Sequence, residues 1–512
     1  MSFRRSRPQA SSKKPLDTLS FGLMAGLIVA SILLVVLGDH ATAKVQKFSW
    51  QERTVGADNP AFVMTFSRPM DTQSVEANLQ ITPHLPGRVS WAGRRMAYTL
   101  DVPVPYGESY SVQIPEARDR FSEGTENGEF ETFEGTFQSR DRAMIYIGTT
   151  ADQTGRLVMV NFSQGGESVL LTPPGLTVLD FEPYPLGDRV LFSAVQQAEQ
   201  TDGVLAPALY TVATGLTPNP PELSVTAEAA FLSQQPDEVG VITPVLESEQ
   251  YQNLAFDLSP DGKLIVVQRV STTDPADFGP WIVPEAAAPY PLETEPGGEF
   301  LIGPDSQSLL LLQGQGTAVI PLASDAENAG AVAPLDFLPE FGRVFDISHD
   351  GSSAAMVDFN QNDPERRFTE TLVVVTNQGE ETEILNATGS ILAAEFDPTD
   401  RILYVLASEL LPREAYQEQP YVTAINLETQ ESVNLLTLPP QSRVSMDISP
   451  DGLAALVEVA LMTPDDVTTA TEVEQTLLLP LFETTDQRLL AIPTQTAPQI
   501  LPSEGTLPTW LP

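Results

Sequence analysis

Apolar residues come in short runs along most of this chain, and a polar turn follows nearly every run. Leu264-Ile-Val-Val267, Thr371-Leu-Val-Val-Val375, Tyr421-Val-Thr-Ala-Ile425 and Ala455-Leu-Val-Glu-Val459 are examples. Runs of this length, rich in β-branched residues and bounded by Pro, Asp, Asn and Gly, predict strands. One segment breaks the pattern. Leu19 to Gly38 is apolar without a charge over 20 positions, and as a helix it would match a bilayer core of about 30 Å. The polar turns also repeat. Phe256-Asp-Leu-Ser-Pro-Asp-Gly262, Phe345-Asp-Ile-Ser-His-Asp-Gly351 and Met446-Asp-Ile-Ser-Pro-Asp-Gly452 are copies of one phrase, each lying between two apolar runs.

Degenerate copies occupy Leu179 to Arg189, Phe300 to Gln307 and Ala394 to Arg401, so the turn position falls at Pro183, Pro260, Pro304, His349, Pro398 and Pro450. The gaps between them are 77, 44, 45, 49 and 52 residues. Blade repeats of about 40–50 residues with several strands each indicate a β-propeller. The long first gap is read as holding an insertion between about Gln196 and Gln250. Six blades follow from the internal repeats. A seventh is expected from Ala143 to Ile147, Arg156 to Val160 and Ser168 to Leu171, closed by the innermost strand at Leu507 to Pro512. Closure would remove two exposed strand edges. The fold class is therefore all-β, a seven-bladed (alternatively six-bladed) propeller over residues 142–512.

These repeats resemble the propeller of the periplasmic TolB protein and its relatives, whose phrase is Trp-Ser-Pro-Asp-Gly. Ser259 to Gly262 and Ser449 to Gly452 match it in full, Ser348 to Gly351 departs once and Gly303 to Ser306 departs twice. Leu258, Ile347, Phe396 and Ile448 stand where that family has Trp. The resemblance implies a fold and leaves the partner open. Residues 45–140 carry strands at the spacing of a β-sandwich, among them Ala61 to Phe66, Asn78 to Thr82, Met96 to Leu100, Tyr110 to Ile114 and Phe130 to Phe137. Phe66-Ser-Arg-Pro-Met-Asp71 with Ser74-Val75, Trp91 and Tyr106 to Ile114 resembles bacterial Ig-like domains of the S-layer type, which implies a spacer without catalysis. Phe66, Met70 and Trp91 are its expected core.

Charge sets the orientation. Arg4, Arg5, Arg7, Lys13 and Lys14 precede the apolar segment, opposed by Asp17 alone. The positive-inside rule puts this basic tail (1–18) in the cytoplasm, residues 19–38 across the bacterial inner membrane as a signal anchor, and the rest in the periplasm. Cleavage after Ala43 is the alternative, since Ala41-Thr42-Ala43 has the small-x-small form that signal peptidase uses. Gly22, Gly26 and Ala30 share one helix stripe. With 27 basic and 69 acidic residues the net charge is −42, and beyond Gly38 it is −46. Such a surface repels nucleic acid and anionic headgroups and favours cationic partners or divalent ions. There is no cysteine, hence no disulfide, thiolate metal site or acylated lipoprotein anchor.

Candidate chemistry is sparse. Aligning the turn phrases puts Asp180, Asp257, Asp346, Glu395 and Asp447 at one position on the innermost strands, with Leu301 and Thr509 completing the set. A ring of carboxylates at the channel mouth would attract a cation, Ca²⁺ being the one to consider, or a basic peptide. The reading we favour is structural: each carboxylate accepts backbone N–H bonds in its own turn. Seven acidic residues between Glu116 and Glu134 lack calcium-loop spacing. No Gly-x-Ser-x-Gly elbow occurs, and His40, His84 and His349 are too dispersed for a zinc site. No cofactor and no catalytic residues are assigned. The expectation is a membrane-anchored scaffold that presents a propeller face to another envelope protein. The alternative is a polysaccharide- or peptidoglycan-binding module or glycan hydrolase, which the 7% aromatic content disfavours.

Overall fold

The computed structural model describes residues 15–37, 42–120, 130–196, 206–216, 237–314, 316–322, 334–338, 342–361, 363–412, 416–440, 442–463, 471–482, 487–488 and 492–512. Helix α1 (Pro15–Leu37) has 23 residues, about 34 Å at 1.5 Å per residue. Its side chains are described for Ser20–Ile32 and all are exposed. Counting only described residues, no helix is long and apolar enough to cross a membrane.

Beyond α1 the regular structure of the described residues is mostly antiparallel sheet. Two four-stranded sheets enclose the first core. One pairs Val45–Phe48, Ala61–Phe66, Arg95–Leu100 and Gly87–Ala92, the other Thr54–Val55, Phe133–Ser139, Ser109–Ile114 and Gln80–Thr82. In Ala61–Phe66 buried and half-buried positions alternate, as period-two patterning requires. Phe48, Trp50, Phe62, Phe66, Tyr110 and Phe137 fill the interior. Phe62 stacks on Tyr98 at 5.1 Å and Tyr110 on Phe137 at 4.9 Å. Met70 is buried as expected, whereas Trp91 only covers the core edge and donates from its indole to Glu76 at 2.8 Å. The strands Val45–Phe48 and Gly87–Ala92 and helix α2 (Thr72–Asn78) had no counterpart in the sequence reading.

Residues from Ala143 onward form seven four-stranded sheets. Sheet 1 holds Ala143–Gly148, Leu157–Asn161 and Ser168–Leu170, and its innermost place is taken by Gly505–Trp510 from the other end of the chain, with Gly505 opposite Gly148 and Trp510 opposite Met144. Sheets 2 to 7 follow in chain order, beginning at Leu176–Pro183, Tyr251–Leu258, Phe300–Ile302, Val344–Ile347, Ile391–Phe396 and Arg443–Ile448. Each pair of neighbouring sheets shares an apolar cluster. Ile145 with Phe192 joins sheets 1 and 2, Leu191 with Val267 joins 2 and 3, and Val266 with Leu311 joins 3 and 4. Leu338 with Met356 joins 4 and 5, Val357 with Leu403 joins 5 and 6, Tyr404 with Val457 joins 6 and 7, and Leu456 with Tyr146 joins 7 back to 1. The packing therefore runs round a ring, a propeller-like arrangement.

One expectation is corrected here. The 196–250 stretch is not a single insertion. It supplies the third and fourth strands of sheet 2, Ala208–Ala213 and Ile242–Leu246, and its extra length falls in 197–205 and 217–236, outside the described residues. The Pro-rich stretch that begins at Asp274 contains a strand, Phe278–Pro284.

Candidate binding faces and the carboxylate ring

The repeated phrase builds one turn. In sheet 3, Ser259 is fully buried, its Oγ donates to Asp261 Oδ1 at 2.8 Å, and it accepts from the N–H groups of Lys263 and Leu264 at 3.1 Å. Gly262 closes the turn at φ 70°, a left-handed conformation that glycine adopts without steric cost. Ser348 with Asp350, and Ser449 with Asp451, repeat the arrangement. In sheet 2 the equivalent backbone bonds run from Tyr184 N to Arg189 O and from Gly187 N to Tyr184 O.

That register corrects the alignment of the carboxylates. Tyr184 is equivalent to Ser259, so Pro185, not Pro183, is the turn proline, and Glu182, not Asp180, is equivalent to Asp257. Asp180 lies two residues earlier, is exposed, and accepts from the next N–H, Phe181, at 2.9 Å. Asp257, Asp346, Glu395 and Asp447 hold the position equivalent to Glu182.

Each of the five has a partner in the neighbouring sheet. Glu182 Oε2 accepts from Leu258 N at 2.9 Å, and Asp257 Oδ2 from Ile302 N at 2.5 Å. Asp346 Oδ2 accepts from Phe396 N at 2.8 Å, Glu395 Oε2 from Ile448 N at 3.0 Å, and Asp447 Oδ2 from Trp510 N at 2.6 Å. Asp346 also takes its own Ile347 N–H at 2.8 Å. Each carboxylate thus clasps the innermost strand of the next sheet. Leu301 and Thr509 leave the junctions after sheets 4 and 1 without this clasp.

Desolvation dominates these groups. It raises Asp257 and Asp346 to about 6 and Asp447 to about 7, against the pull of the N–H donors. Burial, then the repulsion of Asp257, pushes Glu182 well above the usual carboxylate range, and burial followed by Asp447 and Asp346 does the same to Glu395. Among the described residues, no three His, Cys, Asp or Glu side chains come together as a metal site. His84 borders a cleft between sandwich and ring, His349 Nδ1 lies 3.0 Å from Asp400 Oδ1, and His40 falls outside the described residues.

Two faces differ in what covers them. Because strands run in chain order within sheets 2 to 7, the phrase turns and the third-to-fourth connections share one face, here the turn face. The second-to-third and sheet-to-sheet connections share the other, the far face. The sandwich is pinned to the turn face. Asp451, 1% exposed, accepts at Oδ2 from Tyr106 N at 2.9 Å and from Arg142 Nη2 at 2.7 Å. Arg140, also buried, donates from Nη1 to Pro185 O at 2.9 Å and pairs with Asp58 at 2.9 Å. Arg488, 1% exposed at its side chain, pairs with Asp397 at 2.9 Å and donates to Asp451 O at 2.5 Å, tying the turns of sheets 6 and 7 together beneath that joint. Burial opposes the Asp397 charge, but Arg488, Thr399 and the Ile402 N–H together hold its pKa below the ordinary value. A cleft of ≈ 710 Å³ opens at the joint, bordered by His84, Glu108, Tyr110, Arg142, Phe162 and Phe482. On the far face large apolar side chains break the surface: Phe278 in sheet 3, Phe359 and Phe368 in sheet 5, Leu410 and Tyr416 in sheet 6.

Comparison with known proteins adds fold neighbours only. No family model matches the chain, and no curated protein matches it. Among solved structures it is similar to TolB from Acinetobacter baumannii, at 10% identity over 71% of this chain and 81% of that one, with a TM-score of 0.36. It is also similar to oligogalacturonate lyase from Vibrio parahaemolyticus (10% identity, 64% and 84% covered, TM-score 0.43) and to prolyl oligopeptidase B from Galerina marginata (10% identity, 85% and 52% covered, TM-score 0.42). At such identities and scores the likeness bears on neither substrate nor partner.

Proposed function

We propose that this protein is a binding platform: a seven-bladed propeller held by an Ig-like spacer and an N-terminal anchor in the bacterial inner membrane, with its bulk in the periplasm and a protein of the envelope as its partner. One observation carries the reading. The sandwich receives the chain at one end and grips the propeller with the other. Ala43 bridges to Phe130 beyond the start of strand Phe133–Ser139, while Arg140 and Tyr106 hold the turn face beyond its end. That strand has seven residues, about 23 Å at 3.3 Å each, which sets the stand-off. An anchor preceding Ala43 and a propeller gripped by its turn face leave the far face directed away from the bilayer. The apolar and basic pattern of residues 1–38 supports the anchor.

A photo-crosslinking amino acid at Phe278, on the far face, and at Asp261, on the turn face, tests this in intact cells. The expected result is a discrete protein adduct from position 278 and none from position 261. Adducts from 261 alone, or glycan rather than protein at 278, overturn it.

A further inference from the structure

Sheets 5 and 6 carry a patch on the far face that the ring does not need. Phe368 is 88% exposed and Tyr416 72%, and Phe359 and Leu410 are each 41% exposed. Their carriers are neighbours. Phe359 and Phe368 lie in the connection between Ser353–Asp358 and Glu370–Thr376 of sheet 5. Leu410 ends strand Ile402–Leu410 of sheet 6, and Tyr416 precedes Glu418–Asn426 of the same sheet. Glu370, two residues from Phe368, accepts from Ile391 N of sheet 6 at 2.7 Å, and its charge acts on the Tyr416 hydroxyl. Tyr416 is itself tethered to Glu418, whose other oxygen accepts from Ser408 Oγ at 2.5 Å. Tyr416 therefore stands on a fixed carboxylate base, in the sheet that the segment carrying Phe368 clasps through Glu370. Exposed large side chains on anchored supports mark interaction surfaces rather than scattered surface apolarity.

Charge selects the occupant. The described residues of 358–370 and 409–418 together hold six acidic and two basic side chains, and Arg366 is taken up by Glu383, with both carboxylate oxygens at 3.0 Å. A second copy of this chain would bring the same negative patch against itself, and an anionic lipid surface would be repelled. Resting on the platform reading above, we infer that the patch at Phe359, Phe368, Leu410 and Tyr416 docks a partner protein through a positively charged segment bearing large apolar side chains.

The test uses the full chain in nanodiscs of zwitterionic lipid and two labelled amphipathic peptides, one of Lys, Leu and Trp and one with Glu in place of Lys, read by fluorescence anisotropy. The Lys peptide is expected to bind, more weakly as salt rises. The F368S/Y416S pair should raise its Kd at least about tenfold, while I500S, at an exposed residue in sheet 7, should leave it unchanged. Equal binding of the Glu peptide, or an unchanged Kd in the pair, overturns the inference. Self-association in sedimentation that the pair abolishes overturns it too, in favour of a second copy. Crosslinks in cells separate this from the platform reading. Adducts at position 278 with none at 368 or 416 sink the patch alone, and no adduct at any of the three sinks both. Adducts at 368 and 416 support the inference only where the captured peptide is net basic and carries large apolar residues.

Discussion

Sheets 3 and 7 contain the same four residues at the same turn, Ser259-Pro-Asp-Gly262 and Ser449-Pro-Asp-Gly452, and put them to different use. In both, the serine is buried and bonds to the aspartate, and the glycine is left-handed. In sheet 3 the aspartate faces solvent and pairs with Lys263 at 2.8 Å. In sheet 7 it is 1% exposed and holds the sandwich through Tyr106 and Arg142. Local sequence dictates the turn. What the turn contributes to the molecule depends on which partner meets it, and Tyr106 lies 345 residues away in the chain.

The sharpest way to break the comparison is to remove each aspartate. Asp451→Ala leaves Arg142 without its buried carboxylate and Tyr106 N without an acceptor, and should cost about 3 kcal/mol or more. Asp261→Ala loses only turn bonds and should cost about 1 kcal/mol. Urea denaturation read by tryptophan fluorescence measures both, and equal losses would remove the distinction. Limited proteolysis sharpens it: Asp451→Ala should expose the Arg140–Arg142 joint to trypsin, whereas Asp261→Ala should not.

The innermost strands offer a second contrast, now in pH. Asp447 sits at about 7 when folded, far above the ~3.9 of an unfolded chain. A raised carboxylate stabilises the fold fully below the unfolded value and loses that contribution as pH climbs through the folded one. Stability due to Asp447 should therefore fall between about pH 4 and pH 8, and Asp447→Asn, which cannot titrate, should flatten the slope of Tm against pH over that window. Asp257→Asn should flatten it too, but with the fall complete about one unit earlier. Slopes that match the unsubstituted protein would show that these groups do not titrate in the fold.

Lys263→Ala is the mildest case. The pair with Asp261 is exposed on the lysine side, and its loss should change stability by no more than about 0.5 kcal/mol. A larger effect would make the sheet 3 turn more than a local structure.

Much of this architecture was legible from turns alone. The phrase copies marked where strands begin, and Leu507 to Pro512 read as an innermost strand because the first three strands of sheet 1 lacked one. Asp180 resembles the equivalent position because Pro183 follows it by three residues, as Pro260 follows Asp257. Pro185-Leu-Gly187 reproduces the Pro-x-Gly of Pro260-Asp-Gly262, and that signal would have led to Glu182. The clasps between sheets were not legible, since a carboxylate bonded to its own turn and one bonded to the next strand have the same sequence. Nor was the Asp451 joint, one of whose partners is a backbone N–H that no residue type announces.

Six of the seven seams in the circle unite consecutive segments, and only the one at Gly505–Trp510 brings distant ends of the polypeptide together. Intuition would make that seam the weakest. Yet Asp447 and the Leu456–Tyr146 cluster reinforce it, while the seam between sheets 4 and 5 has Leu301 where a clasp would stand and, among the described residues, an apolar cluster to which the sheet 4 side gives Leu338 alone. Heat or mechanical load should therefore part the circle halfway round from its fastening, and amide exchange in Ser353–Asp358 should outpace exchange in Ala143–Gly148.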